Sequence, residues 1–402
     1  MLSSLLSEIK KVVTPTPAHQ PPPKNIRDHH KPIKTTYESL PISLPPNFLA
    51  TEPGVTPPPT LTEIDWSQTD VPENKGLYAV VLDGVLTREE CETLLKLAEG
   101  SVPLEKWIDS EHGETTGEPA AAAEGGVEGG TKEKGSKTPW TPALVNIGMG
   151  YEVLTPSYRN SSRIIWDQQD IVDRLWERCC LAPGLRERLA VLDANTERDA
   201  RVITGVALRK PASPEDGEEK VVERYANGKK KGKRTVAREK MKRDGRTGKW
   251  EFVNVNQRLR FLRYSPGQFF RPHCDSPYRA LDPINPDRLN ETLFTIHLYL
   301  NDCKSEAPPE LKEQTELEGG ATAMLSGDEK RKYDVECKVG RVLIFQHRRV
   351  LHAGADVLRG VKYSVRTDVM YREVLEEEQK EEEEQRGEED GKSEKKTADG
   401  EV

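Results

Sequence analysis

No stretch of the 402 residues approaches the ~20 consecutive apolar residues that cross a bilayer, which leaves no candidate membrane helix. The opening MLSSLLSEIKKVVTPTP lacks an apolar segment followed by a small-residue cleavage site, so the expectation is a soluble, unsecreted chain of cytoplasm or nucleus. Cysteine is scarce: Cys91, Cys179, Cys180, Cys274, Cys303 and Cys337 are too few and too irregular for a disulfide scaffold, and no CxxC pair offers a structural zinc site. Charge of one sign is lacking too. Sixty-eight acidic against sixty basic side chains leave a net charge of -8, and no global attraction to nucleic acid follows. Apolar residues amount to only 35% while 32% are charged, which predicts that part of the chain does not pack.

That shortage is unevenly spread. Residues 1–73 hold proline clusters (Pro21 to Pro23, Pro57 to Pro59) among polar residues, the composition of a disordered arm. Order is expected from KGLYAVVLDGVLTREECETLLKLAEG, a strand and then an amphipathic helix with Thr87 as N-cap, Glu90 completing a capping box and Gly100 as the stop. A second helix is predicted from about Gln168 to Cys180, with Ile171, Val172, Leu175, Trp176 and Cys179 on one face. It ends at Pro183 and Gly184, and the vicinal Cys179 and Cys180 belong to its packing. Low-complexity insertions interrupt the folded part near 111–138 and 211–248; the second carries Lys229, Lys230, Lys231, Lys233 and Arg234 and reads as a solvated basic loop or a polyanion patch. After Trp250 come short β-rich runs, RLRFLRY, ETLFTIHLYLND, GGATAML, GRVLIFQH and KYSVRTDVMY, which predict a barrel or sandwich. Residues 373–402 are an acidic tail.

Within the β-rich part, PGQFFRPHCDSPY sets His273 and Asp275 two residues apart, so on an extended strand both side chains face the same way. A further histidine would complete a two-histidine, one-carboxylate set with open positions for a chelating ligand and dioxygen. His297, His347 and His352 are the candidates. His352 precedes a strand in which Lys362 and Arg366 share one face, where a cation can pair with a ligand carboxylate.

RYSPGQFFRPHCD, TLFTIHLYLND, GG-T, VGRVLIF and LHAGADVLRGVKY, in that order, closely resemble the consensus of the prolyl 4-hydroxylase type of Fe(II)- and 2-oxoglutarate-dependent oxygenases. The resemblance covers roughly Asn254 to Arg372, and LDGVLTREECETLLKLAE is similar to that family's opening strand and helix. It implies a mainly β fold with flanking helices, a double-stranded β-helix or jelly-roll core within a domain of residues 74–372. It also implies metal ligands His273, Asp275 and His352, with Lys362 on the far carboxylate of 2-oxoglutarate and Arg366 as fallback anchor. Tyr264 and Tyr299 match aromatic positions that contact the co-substrate.

The implied activity is hydroxylation of a C–H bond, foremost of a peptidyl proline at carbon 4, with dioxygen consumed, succinate and carbon dioxide released and L-ascorbate as reductant. A nucleic-acid substrate for the basic insertion and a non-catalytic jelly-roll that binds a protein partner are the other readings. One motif departs from the pattern: GGATAM stands where the family usually has GGET and an aromatic, which bears on the substrate edge more than on the ligands.

Overall fold

The inner strands of the sheet alternate in a way that decides everything around them. In TLFTIHLYL, Phe294, Ile296 and Leu298 point one way and Thr295, His297 and Tyr299 the other; in KYSVRTDVM, Val365 and Val369 oppose Lys362, Ser364, Arg366 and Asp368. One face is apolar and packs on helices, while the other is polar and must meet a ligand or its own counter-charges. A computed structural model of the chain describes residues 31–51, 56–109, 137–148, 150–207, 225–226, 229–230, 248–282, 285–286 and 288–374.

Fifteen strands carry the site: β1 (Thr60–Glu63), β2 (Ala79–Asp83), β3 (Thr141–Pro142), β4 (Arg159–Asn160), β5 (Ser162–Asp167), β6 (Lys249–Val255), β7 (Arg258–Tyr264), β8 (Phe269–His273), β9 (Arg279–Leu281), β10 (Leu289–Tyr299), β11 (Thr322–Leu325), β12 (Lys332–Val335), β13 (Val342–Gln346), β14 (His352–Gly354) and β15 (Lys362–Glu373). The larger sheet runs β1-β2-β13-β10-β15-β7-β5-β3, with β6 added on β15 and β9 on β10. The smaller sheet runs β12-β11-β14-β8-β4. Every strand pairing among the described residues of both sheets is antiparallel, which gives the jelly-roll expected of this pattern.

Helices α1 (Arg88–Gly100), α2 (Gln169–Cys180), α3 (Leu185–Ala190) and α4 (Glu197–Thr204) complete the frame. The Thr87 and Glu90 capping box starts α1, and α2 buries the five predicted residues. Gly100 is the last residue inside α1 rather than the stop beyond it, since Ser101 caps the end. Cys91, Leu94, Ile171, Leu175 and Trp176 pack with Leu259, Phe261, Ile296, Leu298 and Val365 to form the helix-side core. A second core lies between the sheets, built by Leu262, Met324, Leu343, Phe345 and Val350.

The arm boundary at residue 73 does not hold. Residues 31–51 and 56–73 are built into the fold: β1 pairs with β2 through four residues, and Phe48, Leu49, Ile64, Trp66 and Val71 are buried. Trp66 donates its indole N–H to the Leu77 carbonyl at 2.6 Å. Proline density misled here because the burying residues are few and widely spaced, and β1 only shows its purpose when β2 lies beside it. The insertion expected near 111–138 lies outside the described residues except at Lys137–Thr138, which pairs with Ile108–Asp109. Of the second insertion only Tyr225–Ala226 and Lys229–Lys230, which pair with each other, and residue 248 are described, and the tail beyond 374 lies outside.

Candidate metal centre

His273 closes β8 and His352 opens β14, and the two are direct cross-strand partners with ring centroids 4.3 Å apart. Asp275 follows just past the end of β8. There the Thr295 hydroxyl of β10 donates to Asp275 Oδ2 at 2.6 Å, so the third group is pinned to the opposite sheet. His273 Nε2 is 3.7 Å from Asp275 Oδ1, and His352 Nε2 is 3.9 Å from Oδ2. The ligand atoms of the three residues all lie within 4.8 Å of one another, and no other such group of three or more occurs among the described residues.

Each imidazole is held from behind. His273 Nδ1 is 2.8 Å from the Arg271 carbonyl and His352 Nδ1 is 3.1 Å from that of Val350. A carbonyl can only accept, so each Nδ1 carries the proton and each Nε2 presents a lone pair to the common centre. Burial holds both histidines below the ordinary imidazole range, for His273 well below it, with the neighbouring His352 ring adding to the effect there. Burial alone would raise Asp275, but Arg366 and the two histidines pull its carboxyl below its usual range. Two neutral nitrogens and one carboxylate, all turned to a common centre, are a donor set that could hold a divalent metal ion on one face.

Lys362 begins β15, opposite Tyr264 of β7, and is buried at 2% exposure. Its Nζ donates to the Gly320 carbonyl at 2.6 Å and lies 5.4 Å from the ring centroids of both Tyr264 and Tyr299. Tyr299 in turn donates its hydroxyl to Thr322 Oγ1 at 2.7 Å. The GGAT motif thus builds the pocket: Gly320 has φ +76, and a Cβ there would come 3.2 Å from Lys362 Cδ. A buried ammonium with a carbonyl, two aromatic faces and no carboxylate is short of one anion.

The sequence profile of the 2OG-Fe(II) oxygenase superfamily matches residues 259–367, which span the triad and Lys362. This segment is a 2OG-Fe(II) oxygenase domain. The chain is therefore a 2-oxoglutarate-dependent dioxygenase, with Fe(II) and 2-oxoglutarate as metal and co-substrate. No curated protein sequence matches it. Among solved structures, the oxygenase is similar to the viral collagen prolyl hydroxylase of Paramecium Bursaria Chlorella virus-1 at 15% identity, covering 73% of this chain and 95% of that one, with a TM-score of 0.31. It is also similar to a Pseudomonas putida prolyl-4-hydroxylase at 14% identity, covering 57% and 77%, with a TM-score of 0.28.

The other two candidate histidines, His297 and His347, stand outside the triad. His347 is fully buried with Nε2 3.4 Å from Asp368 Oδ1, and His297 lies across from Arg366 on β10. Arg366 is spent on carboxylates, its Nη1 2.6 Å from Asp275 Oδ1 and its Nη2 3.1 Å from Asp368 Oδ1. Asp368 also accepts from Arg260 Nη1 at 2.8 Å. Thr295 and Asp368 were missed in the sequence, although polar residues at the inward positions of otherwise apolar strands were the available signal. Ala321 is buried at 3% exposure, so the acid usual in the resembling motif has no solvated space here.

Proposed function

We propose that this oxygenase hydroxylates a peptidyl proline at carbon 4. His273, Asp275 and His352 would hold Fe(II), which when bound supplies the oxidising chemistry that couples decarboxylation of 2-oxoglutarate to insertion of oxygen into a C–H bond. The chain's own part is to place the reactants. Lys362 receives the far carboxylate of 2-oxoglutarate, while Tyr264 and Tyr299 wall its carbon chain and exclude water. Thr295 and Arg366 keep the Asp275 carboxylate turned to the centre, and the two backbone carbonyls keep both Nε2 atoms facing it.

The observation that carries the co-substrate is the unpaired ammonium of Lys362. For the substrate, the resemblance of the motifs to prolyl 4-hydroxylases is joined by an apolar wall at the mouth, where Phe270 stacks on His273 with centroids 3.7 Å apart and Tyr158 meets Phe270 edge-on at 5.6 Å. Such faces suit a saturated five-membered ring. The test is incubation of the full chain with Fe(II), 2-oxoglutarate, L-ascorbate, oxygen and proline-containing peptides, reading succinate and a mass gain of one oxygen on proline. His273→Ala and Asp275→Ala should abolish both. Succinate formation with every tested proline left unmodified would refute the prolyl reading and leave the oxygenase in place.

A further inference from the structure

Counting charges on the inward faces of the two sheets leaves a remainder. Asp275 is paired with Arg366, Asp368 with Arg260 and Arg366, and Glu152 with Arg163 at 2.6 Å, with Tyr37 sharing that last pair. Among the described residues facing this cleft, two cations have no carboxylate: Lys362, whose anion is the co-substrate, and Arg159. Arg159 opens β4 and is the direct cross-strand partner of Phe270. Its guanidinium carbon lies 4.6 Å from the Phe270 ring centroid, and the same ring stacks on His273. Phe270 and His273, three residues apart, share a face because the β8 register shifts between them.

The guanidinium is held but not satisfied. Nη1 donates to the Leu144 carbonyl at 3.3 Å, and Nε is enclosed without a partner. Burial, together with nearby Arg163 and Arg366, draws its pKa down to about 10, so it remains a cation at neutral pH. A stacked, half-buried arginine with one carbonyl contact and no carboxylate partner is suited to receive an anion.

We infer that Arg159 receives a side-chain carboxylate of the substrate, one or two residues from the hydroxylated carbon, and that the oxygenase therefore selects acidic peptides. The distance follows from the two ring contacts that separate the guanidinium from His273, compared with a span of ~3.3 to 3.6 Å per extended residue. The charge follows from the surroundings. With Glu152, Asp275 and Asp368 each paired with an arginine, the one guanidinium left over matches a single negative charge, whereas the second charge of a phosphate dianion would have no partner. The inference rests on the peptide reading above and adds the residue beside the reacting one.

The experiment is calorimetric binding of acetylated, amidated pentapeptides Gly-Xaa-Pro-Xaa-Gly, with Xaa as Glu, Gln or Lys, to the full chain loaded anaerobically with Fe(II) and 2-oxoglutarate. Matching peptides carry Ala in place of Pro. The Glu peptide should bind about tenfold tighter than the Gln peptide, the size of one charge-assisted contact. Arg159→Gln should erase that ratio, Arg159→Lys should keep most of it, and Arg159→Glu should shift preference to the Lys peptide. Equal affinity of the wild type for Glu and Gln peptides, an advantage that survives in Arg159→Gln, a loss confined to 2-oxoglutarate affinity, or no binding of any peptide would overturn the assignment. An equal preference for acid in the Pro and Ala series, without hydroxylation, would uphold Arg159 and reject proline. Hydroxylation of Glu and Gln prolyl peptides with no difference in affinity would uphold proline and reject Arg159.

Discussion

Replacing Lys362 by methionine separates the co-substrate from the metal more cleanly than any other single change. Methionine keeps the reach of the side chain and its contacts with Tyr264 and Tyr299 but removes the ammonium. Without a ligand, Lys362 is an ion buried to 2% exposure whose compensation is one carbonyl bond at 2.6 Å and two aromatic faces. Desolvating an ion costs several kcal/mol, so Lys362→Met should leave the ligand-free protein at least as stable as wild type. With 2-oxoglutarate the order reverses. Losing one partner of a buried charge pair costs about 2 to 5 kcal/mol, a loss of affinity of roughly 30-fold or more. At a co-substrate concentration 100 times the dissociation constant the wild type gains about 2.7 kcal/mol of stability, and at that same concentration the variant should gain no more than about 0.9 kcal/mol. The assay is thermal unfolding of the anaerobic Fe(II) protein with and without 2-oxoglutarate, alongside an Fe(II) titration. Iron affinity should be unchanged, because the contacts of Lys362 include no member of the triad. A variant that 2-oxoglutarate still stabilises like wild type would refute the anchor, and an equal loss of iron and co-substrate would make Lys362 a structural residue.

Gly320→Ala should imitate that loss with the charge still present. Its Cβ would sit 3.2 Å from Lys362 Cδ at φ +76, so 2-oxoglutarate affinity should fall while iron binding persists; unaltered co-substrate affinity would show that the pocket tolerates the shift. Metal-free stability should drop as pH falls below about 6.5, the unfolded histidine value. His273, His297 and His352 have depressed folded pKa values, so the unfolded chain binds more protons in that window and stability rises with pH. Melting from pH 7.5 to 5.5 should show the slope, and His297→Phe should lessen it; an identical slope would assign the dependence to other groups. Asp275, also depressed, contributes only lower, beginning near the unfolded carboxylate value of about 4. Deleting residues 1–73 should cost several kcal/mol in denaturant unfolding, since Trp66 and β1 go with them, and an unchanged midpoint would mean that their packing adds nothing.

How much of this was legible beforehand follows from the range of each interaction. The inward face of β15 could be read from alternation alone, since Lys362, Ser364, Arg366 and Asp368 recur every second residue with Tyr363, Val365 and Thr367 between. Helix α2 and the cap of α1 were equally local, resting on spacing and on one threonine and one glutamate. What alternation cannot provide is the partner. Arg366 and Lys362 share a face, yet one turns to Asp275 and the other to Gly320, because register puts Arg366 beside Arg260 and His297 while Lys362 faces Tyr264.

The same limit explains the two residues on which the new assignment depends. Arg159 sits in SYRNSSR, a stretch with no period and no motif, and acquires its place only because β4 adds to the edge of β8 more than a hundred residues later in the chain. Phe270 joins it only through the register shift that lets positions 270 and 273 face the same centre. The ligands were readable because metal chemistry constrains residue type and spacing at short range. Substrate selection places no such demand on neighbouring residues: a cation can come from any strand that closes the cleft. In this oxygenase the catalytic half of the site is therefore written in local sequence, and the discriminating half in strand pairing.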